Sequence, residues 1–194
     1  MSFSIELARP HTETHDTKRR ALEIALDLFG RKGYDATSMR EIAEAAGVTK
    51  ATLYYHFENK AAIIRGLAES YRQALDDLAR WAALEPRPAP CVVLRAIADL
   101  VRAQGVQFYR FLYNNAQAIR DFPLEDSRNF EIPESLYDAL VYPDTSVEAR
   151  IRAHMAVHAI HSSMIIARGL GATDEEILAV TLKISEEILH ISEG

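Results

Sequence analysis

Residues 38–57 read SMREIAEAAGVTKATLYYHF, and the pattern within them decides the fold. Ser38 followed three residues later by Glu41 is a capping box, in which each side chain accepts a hydrogen bond from the other residue's backbone N–H at a helix start. The helix begun there runs to Ala46. Gly47 ends it, because glycine takes the left-handed backbone of a tight turn without a Cβ clash. Thr49 then caps a new helix through about Phe57, so that only Gly47 and Val48 stand between the two. Two helices joined by so short a glycine-containing turn form a helix-turn-helix unit. Ile42, Ala46, Val48 and Leu53 are apolar where the helices must pack, and Ala43 is small where they cross.

Working outward, Leu22, Ala25, Leu26 and Phe29 repeat at helical spacing, with Ile24 and Leu28 widening the stripe. Arg31 and Lys32 suit the negative end of that helix, and Gly33 supplies its stop. The polar, aperiodic residues 1–15 read as a flexible tail. Asn59 caps a fourth helix that continues past Trp81, and the run Glu85-Pro86-Arg87-Pro88-Ala89-Pro90 is the clearest break in the chain. Beyond it, helices are predicted over Cys91–Ala103, Val106 to about Ile119, Glu134–Tyr142, Ser146 to about Arg168 and Thr173 to about Ser192, with a loop over 120–133. Thr173 and Glu176 make a second capping box. With no β alternation of useful length, the chain reads as all-α with about nine helices. Its predicted divisions are a tail (1–15), a helix-turn-helix domain (16–62) and a helical ligand-binding and dimerisation domain (63–194).

The third helix offers Thr49, Lys50, Ala51, Thr52, Tyr54 and Tyr55 to a DNA groove, with short side chains first so that it can approach base edges. At this point the first-helix pattern ALEIALDLFGRKGYDATSM, the turn EIAEAAGVTKATLYYHF and the start of the fourth helix, ENKAAII, together resemble the DNA-binding domain of TetR-family transcriptional regulators. The resemblance covers residues 16 to about 64. It implies a homodimer, usually a repressor, with a small-molecule pocket in a divergent C-terminal domain. It also places Lys50, Ala51, Thr52, Tyr54 and Tyr55 like residues that meet bases or adjacent backbone. Ser38, His56 and Lys60 are placed like phosphate contacts. Leu53 and Phe57 read as core.

Composition refines this. The 194 residues include 48% hydrophobic and 26% charged, with low glycine and proline, as suits helices with short connections. One cysteine, Cys91, excludes an intramolecular disulfide framework or a thiolate metal cluster. No apolar run is long enough to span a bilayer and the first residues lack a leader pattern, so a cytoplasmic location without membrane contact is expected. Taken alone, the net charge of −6 opposes a nucleic-acid partner. Residues 1–60, however, hold nine Lys/Arg and nine Asp/Glu, so the whole deficit lies beyond them. Within the neutral part, Lys18, Arg19, Arg20, Arg31, Lys32, Arg40, Lys50 and Lys60 can together present a positive face.

In the C-terminal part, residues 146–168 and 173–192 carry apolar stripes too broad for one domain to cover, and homodimerisation through them is expected. Phe108, Phe111, Tyr137, His158 and His161 are the candidate lining of a partly apolar ligand pocket. His154, His158 and His161 share one side of a helix and are the candidate metal ligands, although no Cys or carboxylate stands nearby at suitable spacing. The reading is therefore a DNA-binding regulator without cofactor or catalytic residues, released from a palindromic double-stranded operator by a small-molecule inducer. A metal-responsive regulator using the histidines is the alternative within that class. A small helical enzyme is the alternative outside it, but the chain has no HExxH, P-loop, dinucleotide turn or nucleophile elbow.

Overall fold

A computed structural model of the chain describes residues 13–105, Phe108, Phe111, 132–167 and 169–190. The α-helices among them are α1 (Glu13–Lys32), α2 (Met39–Ala46), α3 (Lys50–His56), α4 (Lys60–Ala82), α5 (Pro90–Leu100), α6 (Glu134–Val141), α7 (Val147–Ile166) and α8 (Asp174–Ile188). A π-helical stretch, Val101–Gly105, follows α5. The helix expected over Val106 to Ile119 and the loop expected over 120–133 lie almost wholly outside the described residues, as does the tail up to residue 12.

Local signals start and stop these helices as the sequence suggests. The Ser38 and Glu41 capping box is formed at α2, and Thr173 and Glu176 form its counterpart at α8. Asn59 Oδ1 accepts the Ala62 N–H at 2.9 Å to open α4, and Ser146 Oγ accepts the Ala149 N–H at 3.2 Å to open α7. Pro90 occupies the first turn of α5, where its missing N–H leaves no bond unmade.

The chain divides into two compact units whose described residues are 13–70 with Phe108 and Phe111, and 71–105 with 132–167 and 169–190. The residue 62 expected to close the DNA-binding domain falls inside the single helix α4. In the first unit Ala21, Leu22, Ala25 and Phe29 of α1 are buried with Ile42, Ala43 and Ala46 of α2, Leu53 of α3 and Ile63 and Ile64 of α4. Phe111 belongs to this core and stacks on Phe29, with ring centroids 5.3 Å apart. At Gly66 of α4 an added Cβ would stand 3.1 Å from both Leu22 and Phe57, so the absence of a side chain lets α4 lie close on α1 and the end of α3.

The second unit buries Leu75, Leu78, Val93, Leu94, Ile97, Leu136, Ala153, Val157 and Ile160. Helices α7 and α8 are tied by Ser185 Oγ donating to the Ala156 carbonyl at 3.0 Å and by Arg152 Nη1 donating to the Ile188 carbonyl at 3.0 Å. Glu186, nearly buried, meets Arg95 Nε at 3.2 Å. The broad stripes of these helices split in two: Ala153, Ala156, Val157 and Ile160 face inward, while Val147, Ile151 and Met155 of α7 and Val180 and Ile184 of α8 stand exposed.

Candidate nucleic-acid interface

The turn between α2 and α3 is built from backbone geometry. Gly47 adopts φ 69°, ψ 30°, and its N–H together with that of Val48 returns to the last carbonyls of α2, Val48 N donating to Ala43 O at 3.0 Å. A side chain at Gly47 would meet only Arg20 Nη2, at 3.9 Å, so glycine is required there by its positive φ rather than by space. Thr49 is extended and accepts the Thr52 N–H at 3.0 Å, which fixes the start of α3. Leu53 and Phe57 then bury one side of α3, and the other side presents Lys50, Ala51, Tyr54 and Tyr55, with Tyr55 81% exposed.

Several of the predicted contact residues already have partners. The Thr49 and Thr52 hydroxyls share a hydrogen bond of 2.8 Å. Lys50 Nζ lies 5.5 Å from the Tyr54 ring centroid, and His56 stands edge-on to Tyr55. Ser38 Oγ donates to Glu41 Oε2 at 2.9 Å while accepting the Glu41 N–H. Hydrogen bonds from Lys32 and from the Ser38 backbone and hydroxyl hold the Glu41 carboxyl down at about 2. Lys60 Nζ donates to the Tyr34 carbonyl at 2.6 Å and sits 4.3 Å from the Tyr34 ring centroid. Burial lowers its pKa, opposed by nearby Asp35. Lys60 thus ties the start of α4 to the α1–α2 connection, with a second, longer bond of 3.5 Å to the Asp35 carbonyl, and keeps an ammonium hydrogen for another acceptor.

Half of the clustered cations are paired within the unit: Arg19 with Glu23, Arg31 with Asp27, Lys32 with Glu41 and Arg40 with Glu44. Two structural residues were not singled out by the sequence reading. Buried Thr37 donates its hydroxyl to the Gly33 carbonyl at 2.8 Å, closing the end of α1. Tyr34 packs its ring between Phe29 and Lys60. Thr37 precedes the Ser38 cap and Tyr34 follows Gly33, which are the only hints the sequence holds.

Phe108 and Phe111 are core residues of the first unit, whereas Tyr137, His158 and His161 belong to the second. Tyr137 stacks on His154 with centroids 3.8 Å apart, and its hydroxyl lies 3.4 Å from His158 Nε2. Burial, and less strongly Glu134, pushes its pKa up to about 12. The three histidines have different surroundings. His154 lies 3.8 Å from Glu134, His158 is exposed, and His161 is buried with Nδ1–H donated to the Val157 carbonyl at 2.9 Å. Burial lowers the His161 pKa to about 4; the Val157 bond opposes this and His158 adds to it. Among the described residues no group of three or more His, Cys, Asp or Glu side chains is arranged to hold a metal ion.

A short-turned pair of helices, with the second buried along one side and open along the other, defines a helix-turn-helix protein. The family model for bacterial regulatory proteins of the tetR family matches residues 21–67. The transcriptional regulator TtgR of Pseudomonas putida is 28% identical over 159 residues, which is 82% of this chain and 67% of TtgR. Two solved structures share the fold. A transcriptional regulator of Aquifex aeolicus matches with TM-score 0.64 and 19% identity, over 90% of this chain and 98% of its own. PfmR of Thermus thermophilus matches with TM-score 0.60 and 22% identity, over 90% and 100%. Over residues 21–67 the chain matches the TetR-family transcriptional regulators, and over most of its length it shares their fold. These are non-catalytic DNA-binding proteins. No described helix is long and apolar enough to cross a membrane.

Proposed function

We propose that the chain is a homodimeric, ligand-responsive transcription regulator, most simply a repressor, whose two α3 helices enter successive major grooves of a palindromic operator. The observation that carries this is the contrast on α3: Leu53 and Phe57 lock it into the core while Lys50, Tyr54 and Tyr55 remain open to a partner. A second copy of the chain covers the outer face of α7 and α8. Val147, Ile151, Met155 and Ile188 there, flanked by Glu148 and Arg152, line an open and mainly apolar groove of about 470 Å³, large enough to receive side chains of the same kind from a facing protomer. An inducer bound in the C-terminal part favours a dimer whose reading heads no longer match their half-sites, with α4 as the covalent link. Inducer and operator then weaken each other's binding by one factor.

The test is enrichment of DNA from a random duplex pool by the full-length chain. Inverted repeats bound by two protomers, with half-site centres about 10 base pairs or a multiple apart, are expected. Enrichment of no inverted repeat refutes the dimeric reading. For the inducer, compounds from an aromatic and aliphatic panel that raise the melting temperature should weaken binding of the enriched duplex; binding unchanged at saturation by every such compound refutes that half.

A further inference from the structure

The side chains of α3 are not equally available to a base. The Thr49 and Thr52 hydroxyls are bonded to each other and to the helix start, and Ala51 has no polar group. Lys50 is the only lysine or arginine of α3, and it has a cationic head held by an aromatic ring rather than by an acid: its Nζ is 5.5 Å from the Tyr54 centroid, one helical turn on. Elsewhere in the unit Arg19, Arg31, Lys32 and Arg40 are each bound to a carboxylate. The Tyr54 ring attracts the ammonium without neutralising the charge or using its hydrogens.

An ammonium only donates. In the major groove guanine alone presents two neighbouring acceptors, N7 and O6, whereas adenine pairs one acceptor with a donor, thymine has an acceptor beside a methyl, and cytosine offers a donor. We propose that Lys50, held by Tyr54, is the specificity-determining residue that reads one guanine in each operator half-site, with Tyr54 as its positioning residue. This rests on the reading of α3 as the groove-entering helix and adds the base it selects.

The test uses the duplex enriched by the full-length wild-type chain and its single-base replacements. Replacing the one guanine should weaken wild-type binding roughly tenfold or more. Lys50→Ala should bind all four bases at that position alike, and Lys50→Gln should move the preference to adenine, whose N6 and N7 match an amide. Tyr54→Leu should shrink the guanine preference while leaving the charge. The proposal is overturned if Lys50→Ala keeps the guanine preference. It is equally overturned if Lys50→Ala weakens every duplex uniformly and lowers the salt slope by about one, the signature of a phosphate contact. A wild-type chain that enriches no duplex would remove the DNA-reading function itself, and this proposal with it.

Discussion

Replacing Ile151 by aspartate should break the dimer while sparing the protomer. In the isolated chain Ile151 is 54% exposed on the outer face of α7, within the apolar groove it forms with Val147, Met155 and Ile188. Fully burying an isoleucine stabilises by about 1.5–3 kcal/mol, so covering the exposed half contributes roughly 1–1.5 kcal/mol per protomer. A two-fold interface contains the residue twice, which gives about 2–3 kcal/mol and a dimer weakened roughly 30- to 150-fold from lost burial alone. Burying two carboxylates without partners adds to that penalty. Sedimentation velocity from nanomolar to micromolar concentration should show a shift to monomer, with circular dichroism and melting of the monomer intact. Leu84→Asp, a comparably exposed position outside α7 and α8, should leave the dimer unchanged. An Ile151→Asp chain that dimerises like wild type would refute the assignment of this face.

Three further outcomes follow from particular contacts. Ser38→Ala removes the cap of α2 and should cost about 1 kcal/mol, seen as a fall of about 2–4 °C in melting temperature for a chain of this size. His161, whose pKa is lowered to about 4, is held neutral in the fold, whereas its unfolded counterpart gains a proton below about 6.5. Its contribution is therefore fully present above about pH 6.5 and is lost as pH falls toward 4, by up to roughly 3 kcal/mol. Urea unfolding at pH 7.5, 5.5 and 4.5 should show that loss in wild type and a flatter profile in His161→Leu. Lys60→Met removes the bond to the Tyr34 carbonyl and should lower stability. If Lys60 also meets a phosphate, the slope of log affinity against log salt falls by about one; an unchanged slope assigns it to the clamp alone.

What the sequence made legible is what is local. Ser38 with Glu41, Thr173 with Glu176, and Gly47 between two apolar stripes act within a few residues of themselves, so spacing alone places α2, α3 and α8. Burial of Leu53 and Phe57 follows from the same periodicity. Contacts between distant residues were not readable this way. Nothing in the spacing brings Lys60 onto Tyr34, Lys32 onto Glu41 or Phe111 onto Phe29. The histidine stripe shows why. His154 and His161 point in nearly the same direction around α7, but they are seven residues apart, about 10 Å along the axis. At one end Tyr137 and Glu134 of α6 meet His154, and at the other His161 lies buried beside Tyr71. A pattern on one helix therefore specified direction and not surroundings. The acidic balance behaved similarly: the first 60 residues are neutral in total, yet Arg19, Arg31, Lys32 and Arg40 among their cations are matched by carboxylates of the same unit. Specific affinity must then depend on a few placed side chains rather than on bulk charge.

Whether α3 reads DNA is decided by the ratio of specific to non-specific affinity of a Lys50→Ala, Tyr55→Ala double variant. Both residues are exposed, so the fold should survive, as circular dichroism can verify. If α3 reads DNA, binding of the enriched duplex falls at least about 100-fold toward the non-specific level at constant salt. A double variant that retains the wild-type ratio would contradict it.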